Sequence, residues 1–319
     1  MTTTPDPVHG DDPLAAAPGT IPALFHGLVD DAAIFPPGNL PLADAVEAHH
    51  RHREAWYADL VGPFLVSAAK LPGLVALADP QRPLRVAVVV PGGAEGVGPA
   101  VAAVIGTPGL VLDGVETAGG TPEAIVAAYH EHVPEDVAGA VEIPADADLD
   151  AALGALAGTR HRAKFRTGGT TAGAFPSAPA LAAFLAGCVD RRLPFKLTAG
   201  LHNALRHTDP DTGFVHHGFL NVLVAAAGME NDEGPEIAEG LLRSEDTELV
   251  ALLREQTPAA LAAARTRFTA FGSCSIEDPL ADLVDLGFVA PPGATALRSP
   301  RVDKPESAAR PTPESQEHP

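Results

Sequence analysis

The chain has 319 residues, of which 46% are hydrophobic and 19% are charged, and its formal net charge is −20. This composition supports a large buried core and argues against nucleic acid as a partner, because contacts to phosphate need clustered cations. The two cysteines, Cys188 and Cys274, are too few for a disulfide framework or a zinc site.

The N-terminal sequence and the apolar segments favour a soluble protein. The first residues, MTTTPDPVHGDDP, lack the basic start and the apolar run of a signal peptide. No uninterrupted apolar stretch reaches the ~18 residues of a membrane span. We therefore expect a cytoplasmic protein that does not interact with membranes. The sequence gives no indication of its oligomeric state.

Strand-like and helix-like segments alternate between two proline-rich tails. The tails, residues 1–20 and 291–319, are predicted to be disordered, because they contain few large apolar residues. The strands are predicted at residues 32–35, 64–69, 84–90, 110–117, 139–143, 163–167, 194–198 and 268–274. A helix-rich insertion, roughly residues 217–266, separates the last two strands.

Eight strand-helix alternations within residues 21–290 predict one (β/α)8 barrel domain of the TIM type. The alternative is a doubly wound open α/β sheet. No glycine fingerprint of the dinucleotide-binding type follows the first predicted strand, which weakens that alternative.

Charged residues lie inside the predicted strands at positions that favour the barrel interior. Glu142, Lys164 and Lys196 each stand between apolar neighbours, and side chains alternate between the two faces of a strand. A buried ion without a partner costs several kcal/mol, so we expect these groups to pair with Glu116 and Arg166. We predict that they converge at the carboxyl end of the barrel, where barrel enzymes have their active sites. The alternative is a salt-bridge network with a purely structural role.

The segment after the sixth strand has the composition of an anion site. Arg166, Thr167, Gly168 and Gly169 offer a guanidinium, a hydroxyl and glycine amides, which bind phosphate or carboxylate. Further candidate substrate-binding residues near the strand ends are Thr198, Asn203, His217, Asn221 and Ser273.

Four histidines follow the seventh strand at positions 202, 207, 216 and 217, and their spacing matches no compact metal signature. His202 lies nearest the strand and is the candidate general acid or base. We expect His202 and His217 to point toward Lys196, with the polar segment 207–213 outside them as a partial lid. An upstream cluster, His49, His50 and His52, is predicted to be exposed on a helix.

Three motifs in this region resemble a family of uncharacterised bacterial proteins with no assigned activity. They are K-x-R-x-G-G at residues 164–169, F-K-x-T-A-G-L-H at residues 195–202, and H-G-F-L-N at residues 217–221. Asn203 departs from the pattern, because a second histidine is typical there. The resemblance covers about sixty residues closely and implies a barrel-like fold with a shared site, but no reaction.

Three functions fit these residues. The first is an enzyme of lyase, aldolase or isomerase type that acts on a small anionic carbonyl compound. A lysine with a lowered pKa is its amine nucleophile, Lys196 or, as second choice, Lys164, and Glu142 or His202 moves protons. The second is an enolate-forming barrel enzyme with a divalent metal such as Mg²⁺ on Glu116 and Glu142. The third is a non-catalytic binding protein for an anionic metabolite.

Overall fold

The computed structural model describes residues 14–294 of the chain. Eight parallel strands close into a barrel in the order β1-β10-β7-β6-β5-β4-β3-β2, which confirms the (β/α)8 prediction and rules out the open sheet. The barrel strands are β1 Val29–Asp31, β2 Val61–Ser67, β3 Leu84–Val90, β4 Leu110–Thr117, β5 Ala138–Ile143, β6 Arg162–Arg166, β7 Phe195–Thr198 and β10 Phe268–Ser273. Two short strands, β8 His207–Thr208 and β9 Val215–His216, form an antiparallel hairpin after β7.

Helices connect the strands and cover the outside of the barrel. They are α1 Leu42–Glu54, α2 Leu71–Val75, α3 Val97–Ile105, α4 Pro122–His132, α5 Leu149–Leu156, α6 Ala178–Asp190, α7 Phe219–Glu230, α8 Pro235–Arg243, α9 Glu248–Glu255, α10 Pro258–Arg267 and α11 Glu277–Asp285. The insertion predicted between the last two barrel strands is present as α7 to α10. Every residue of α7 from Phe219 to Met229 is buried, because α8, α9 and α10 all pack against this helix.

The first strand lies earlier in the chain than predicted. It spans Val29–Asp31, whereas residues 32–35 leave the sheet after the strand end. Residues 32–35 are apolar because they pack against two groups of core residues. Ala32 and Phe35 contact the small cluster of Leu65 and Ala87, and Ile34 is buried in the main core. Asp30 is therefore a strand residue, and Asp31 is the last residue of β1.

The two ends of the described chain meet. The Gly19 amide donates a hydrogen bond of 2.7 Å to the carbonyl of Ala290, and Leu14 packs against the core. The described residues thus extend beyond the predicted boundaries at residues 20 and 291, and most residues at the boundaries are exposed. The remainder of the two predicted tails, residues 1–13 and 295–319, lies outside the described residues.

One segment, Ala172–Asp190, is long and apolar enough to cross a membrane by length and composition alone, which the sequence interpretation overlooked. Its apolar side chains are used in the barrel core. The stripe predicted from spacing, Leu181, Phe184, Leu185 and Cys188, is fully buried. The Phe184 ring stacks on Phe165 of β6, with the ring centroids 4.6 Å apart. Packing on the barrel therefore accounts for the apolar character of α6.

Tyr129 of α4 packs against the strands beneath it and donates a hydrogen bond to them. Its ring is fully buried, and its hydroxyl donates to the carbonyl of Ala140 on β5 at 2.9 Å. The ring lies directly over Gly139, so that a methyl group at this position would overlap it. Glycine is therefore required at position 139 for close packing.

We predict that Gly139→Ala lowers the free energy of unfolding by about 1–3 kcal/mol, because overpacking forces the Tyr129 ring or β5 to shift. Gly154→Ala on α5 is the matched control, since nothing lies within 4 Å of the added methyl group. The control is expected to gain about 0.5–1 kcal/mol from the helix propensity of alanine. Urea unfolding followed by circular dichroism measures both, and equal midpoints for the two variants would contradict this packing account.

Candidate active site

Six charged side chains form a continuous series of ion pairs in the barrel, which we call the ion chain. In order along the contacts, its members are Asp30, Lys196, Glu116, Lys164, Glu142 and Arg166. The predicted convergence of Glu142, Lys164, Arg166 and Lys196 is thus confirmed. Strand register explains it, because Glu142, Lys164 and Lys196 are direct neighbours across β5, β6 and β7.

Glu116 is the centre of the ion chain. It lies at the end of β4 and reaches across the interior to both lysines. Its Oε2 is 2.8 Å from Lys164 Nζ, and its Oε1 accepts a hydrogen bond from Lys196 Nζ. The three side chains are only 2–3% exposed. One carboxylate therefore binds two ammonium groups out of contact with solvent.

The two ends of the ion chain differ in their exposure. At one end, Lys196 Nζ donates a hydrogen bond of 2.5 Å to Asp30 Oδ2, and the Asp30 side chain is 4% exposed. At the other end, Lys164 Nζ lies 3.0 Å from Glu142, which also accepts from Arg166 at 3.2 Å. The Arg166 side chain is 49% exposed. The series thus runs from the buried interior to the solvent.

These contacts determine the protonation of the carboxylates. Burial raises the pKa of Asp30 above its ordinary value, although Lys196 opposes this effect. Burial also opposes the ionised form of Glu116, but Lys164 and Lys196 hold its pKa well below the ordinary value. Lys164 and Arg166 likewise overcome burial at Glu142 and lower its pKa. Asp30 is therefore the carboxylate of the ion chain that takes up a proton most readily.

The expectation of a lowered lysine pKa is wrong for Lys164. Burial favours the neutral amine, but Glu116 and Glu142 raise the pKa of Lys164 above its ordinary value. The sequence suggested a cation-rich environment around this residue, whereas the fold places two carboxylates within 3.0 Å of its Nζ atom. Lys164 is therefore a charged ammonium group at neutral pH.

Two aspartates at the start of the barrel were missed from the sequence. Asp30 faces the interior, whereas Asp31 faces α1, where its Oδ2 lies 2.9 Å from His49 Nδ1. His49 is consequently buried, contrary to the predicted exposure. The signal was the pair of acids in the apolar run LVDDAAIF, which the misplaced first strand left in a loop.

The interior of the barrel also has an apolar wall. Ala32, Leu65 and Ala87 of the first three strand regions are buried together, with Phe35 packed against them. The neighbouring position on β10 is Gly272, where a methyl group would lie 3.2 Å from Leu65 Cδ1. These apolar side chains thus occupy the interior near β2 and β3, whereas the ion chain has its members on β1 and on β4 to β7.

The glycine turns after β6 and β7 are in backbone contact. A methyl group on Gly168 would lie 2.8 Å from Gly200 Cα, so these residues permit the close approach of the two loops. Thr167 is buried and donates its hydroxyl to the carbonyl of Ala199. Thr198 ends β7 beside Arg166. This packing explains Thr167 and Gly168 without an anion, so their predicted role in anion binding remains a prediction, as does that of Gly169.

His202 lies against the end of β10. Its Nδ1 is 3.3 Å from Ser273 Oγ and 3.7 Å from Asp278 Oδ2, and Cys274 Sγ is 3.8 Å from its Nε2. Burial lowers the pKa of His202, so the neutral ring predominates at pH 7. These contacts with Ser273, Cys274 and Asp278 differ from the predicted orientation toward Lys196.

The remaining candidates of the histidine loop are bonded to the scaffold. His217 Nε2 lies 2.8 Å from the carbonyl of Pro176 rather than facing Lys196. Asn221 donates to two carbonyls of the α8 region, at 2.7 and 2.8 Å, and accepts from the Arg206 amide at 2.9 Å. Asn203 donates to Asp282 at 3.3 Å. Because these groups satisfy buried backbone and side-chain partners, the geometry favours structural roles over the predicted substrate contacts.

The metal site proposed on Glu116 and Glu142 is occupied by a side chain. Lys164 Nζ lies within 3.0 Å of both carboxylates, where a cation would have to bind. Among residues 14–294, no group of three histidine, cysteine, aspartate or glutamate side chains is arranged to hold a metal ion.

The fold and the ion chain define this protein as a (β/α)8 barrel with a charged interior at the carboxyl ends of its strands. No family model matches the sequence, and no curated protein matches it. The motif resemblance described above therefore remains a prediction, and the site has to be interpreted from its own geometry.

We predict that Glu116→Gln lowers the free energy of unfolding by about 3–5 kcal/mol, because it leaves two buried lysines without their shared carboxylate. The change preserves side-chain shape, so a cavity does not contribute. Glu47→Gln is the control, because Glu47 pairs with Arg82 at 2.9 Å with both side chains well exposed. Its expected cost is small, because solvent screens an exposed ion pair. Urea denaturation of both variants tests this, and similar losses would show that Glu116 is not the centre of a buried network.

Proposed function

We propose that this protein is an enzyme acting on a small anionic metabolite with a carbonyl group, and that Lys196 is its amine nucleophile. Lyase, aldolase or isomerase chemistry follows from such a nucleophile. The observation that supports this most is the position of Lys196 between Asp30 and Glu116 inside the barrel. Barrel interiors are otherwise filled by branched apolar side chains, and buried ion pairs are frequently no more stabilising than apolar packing.

Asp30 makes Lys196 the better nucleophile of the two lysines. A proton that moves from the Lys196 ammonium group to Asp30 leaves a neutral amine and a neutral acid. The raised pKa of Asp30 favours this transfer. Lys164, whose pKa is raised by two carboxylates, keeps its charge and stabilises negative charge on the substrate.

The neutral amine adds to the carbonyl carbon, forming a C–N bond while a proton moves from nitrogen to the carbonyl oxygen. Water then leaves, taking the proton held by Asp30, and a protonated imine remains next to ionised Asp30 and Glu116. This cation withdraws electrons from the adjacent carbon, so a C–C or C–H bond there breaks more easily. Glu142, or His202 as the alternative, transfers the proton at that carbon.

We assign the anion of the substrate and its carbon skeleton to opposite sides of the barrel mouth. Arg166 is half-exposed at the end of the ion chain and binds the carboxylate or phosphate, with Thr198 beside it. Phe35 and Leu65 contact the carbon skeleton. The protein acts in the cytoplasm on a small metabolite, without nucleic acid or membrane partners.

A non-catalytic binding protein for the same anion is the second candidate, because every member of the ion chain already has a partner of opposite charge. A Mg²⁺-dependent, enolate-forming enzyme would require Lys164 to leave the space between Glu116 and Glu142. We rank this third candidate lowest for that reason.

Borohydride trapping tests the proposal, because the sequence contains only four lysines, Lys70, Lys164, Lys196 and Lys304. The full chain is incubated with pyruvate, glyoxylate or dihydroxyacetone phosphate, reduced with borohydride, and mapped by mass spectrometry. We expect a substrate-dependent adduct on Lys196 that is absent from Lys196→Arg. Lys70→Arg is the matched control and should retain the adduct, because Lys70 donates to a backbone carbonyl outside the ion chain.

An adduct on Lys164 would reassign the nucleophile. Saturable binding of these carbonyl compounds without any adduct would favour the non-catalytic binding protein. Circular dichroism of Lys196→Arg establishes that a lost adduct reflects lost chemistry rather than unfolding.

A further inference from the structure

A cavity lies between the loop that precedes α6 and the β8–β9 hairpin. Its volume is about 340 Å³, and its lining includes Phe175, Ser177, Arg206, Phe214 and Arg243. None of its lining residues belongs to the ion chain. The volume suits a small organic molecule, since ligand pockets begin at roughly 300 Å³.

Aromatic contacts hold the walls of this cavity. The Phe175 ring lies 5.3 Å from the Phe214 ring and 4.6 Å from the His216 ring, measured between centroids. His216 Nδ1 lies 3.2 Å from the carbonyl of Gly200, which attaches the hairpin to the loop after β7. The adjacent Pro176 carbonyl is held by His217. These contacts therefore fix the walls of the cavity, which are largely apolar.

Arg206 is a charged residue of this cavity whose guanidinium group has no hydrogen-bonded acidic partner. Its side chain is only 17% exposed, and its acidic neighbour, Glu245, is 3.8 Å away, too far for a hydrogen bond. Within residues 14–294, the Arg206 guanidinium donates no hydrogen bond to another protein group. Burial lowers the pKa of Arg206, Glu245 opposes this, and nearby Arg243 lowers it further.

These features together imply an anionic ligand. A guanidinium has five donors in a planar fork that matches a carboxylate or a phosphate. Arg243 pairs with Glu239 at 2.7 Å, but its side chain is 56% exposed, so it can exchange that partner for a ligand. Arg206 has no acid within hydrogen-bond distance, so its guanidinium donors can bind an anion in the cavity.

We propose that this cavity binds a small organic oxyanion, a carboxylate or phosphate attached to a flat apolar group, and that it is separate from the barrel mouth. Arg206 binds the oxyanion in a bidentate manner, and Arg243 adds a second cationic contact. The apolar group packs against the Phe175 and Phe214 rings at the cavity wall, because aromatic faces favour flat apolar partners. This site is independent of the chemistry assigned to Lys196.

Calorimetric titration of the full chain with phenyl phosphate, benzoate and inorganic phosphate tests the proposal. We expect saturable binding of at least one aromatic anion, and weaker binding of inorganic phosphate, which lacks the apolar group. Comparing phenyl phosphate with benzoate identifies which oxyanion the site prefers. Arg206→Gln should weaken the binding at least tenfold, as expected from the loss of a charged bidentate contact.

Two further variants sharpen the test. Glu245→Gln should tighten binding severalfold, because it removes the acid that competes for Arg206. Arg82→Gln is the matched control and should leave the affinity unchanged, since it removes the same charge from an exposed pair with Glu47. Circular dichroism confirms that the variants are folded.

The proposal is overturned if none of the three anions binds, or if Arg206→Gln binds them as tightly as the unmodified protein. It is also overturned if Arg166→Gln, rather than Arg206→Gln, abolishes binding, because the anion would then occupy the barrel mouth. A failed borohydride trapping on Lys196 leaves this result unaffected, so the two proposals can fail separately.

Discussion

The site depends on one electrostatic constraint: two buried lysines, Lys164 and Lys196, share the single carboxylate of Glu116 inside a closed barrel. One carboxylate cannot balance two ammonium groups, so Asp30 and Glu142 supply the remaining negative charge. Arg166 then balances Glu142 at the solvent end. The resulting series contains three acids and three bases and is neutral overall, which makes its burial tolerable.

The gradient of exposure along this series connects the fold to its proposed chemistry. Arg166 is half-exposed, whereas Lys196 is almost completely enclosed. An anionic substrate would meet the arginine first and would reach the buried amine only by entering the barrel. Electrostatic interactions are stronger in such an enclosed environment than in water, so the ammonium group of Lys164 is well placed to stabilise negative charge that develops on a substrate.

The sequence was most informative where local pattern decides structure. Strands β3 and β4 have the predicted bounds, because proline follows β3 directly and a glycine pair follows β4 closely. Alternation within β6 and β7 was sufficient to place Lys164 and Lys196 inside. Asp30 was missed because the first strand was predicted at residues 32–35, which left Asp30 in a loop. Its pairing with Lys196, 166 positions away, could not be predicted from any local pattern. The hydrogen bonds of Asn221 to buried backbone groups could not be predicted, because polarity alone does not distinguish them from a ligand contact.

The central claim is that these charges are retained for chemistry rather than for stability. The most direct test is the unfolding free energy of a variant that removes the four most buried charges, Asp30→Asn, Glu116→Gln, Lys164→Met and Lys196→Met. Glu142 and Arg166 remain paired with each other in this variant. Because no buried charge is left unpaired, we predict that it lies within about 2 kcal/mol of the unmodified protein and is more stable than Glu116→Gln alone. If the combined variant instead loses as much stability as the sum of its single changes, or fails to fold, the ion chain is a structural network and the account is wrong.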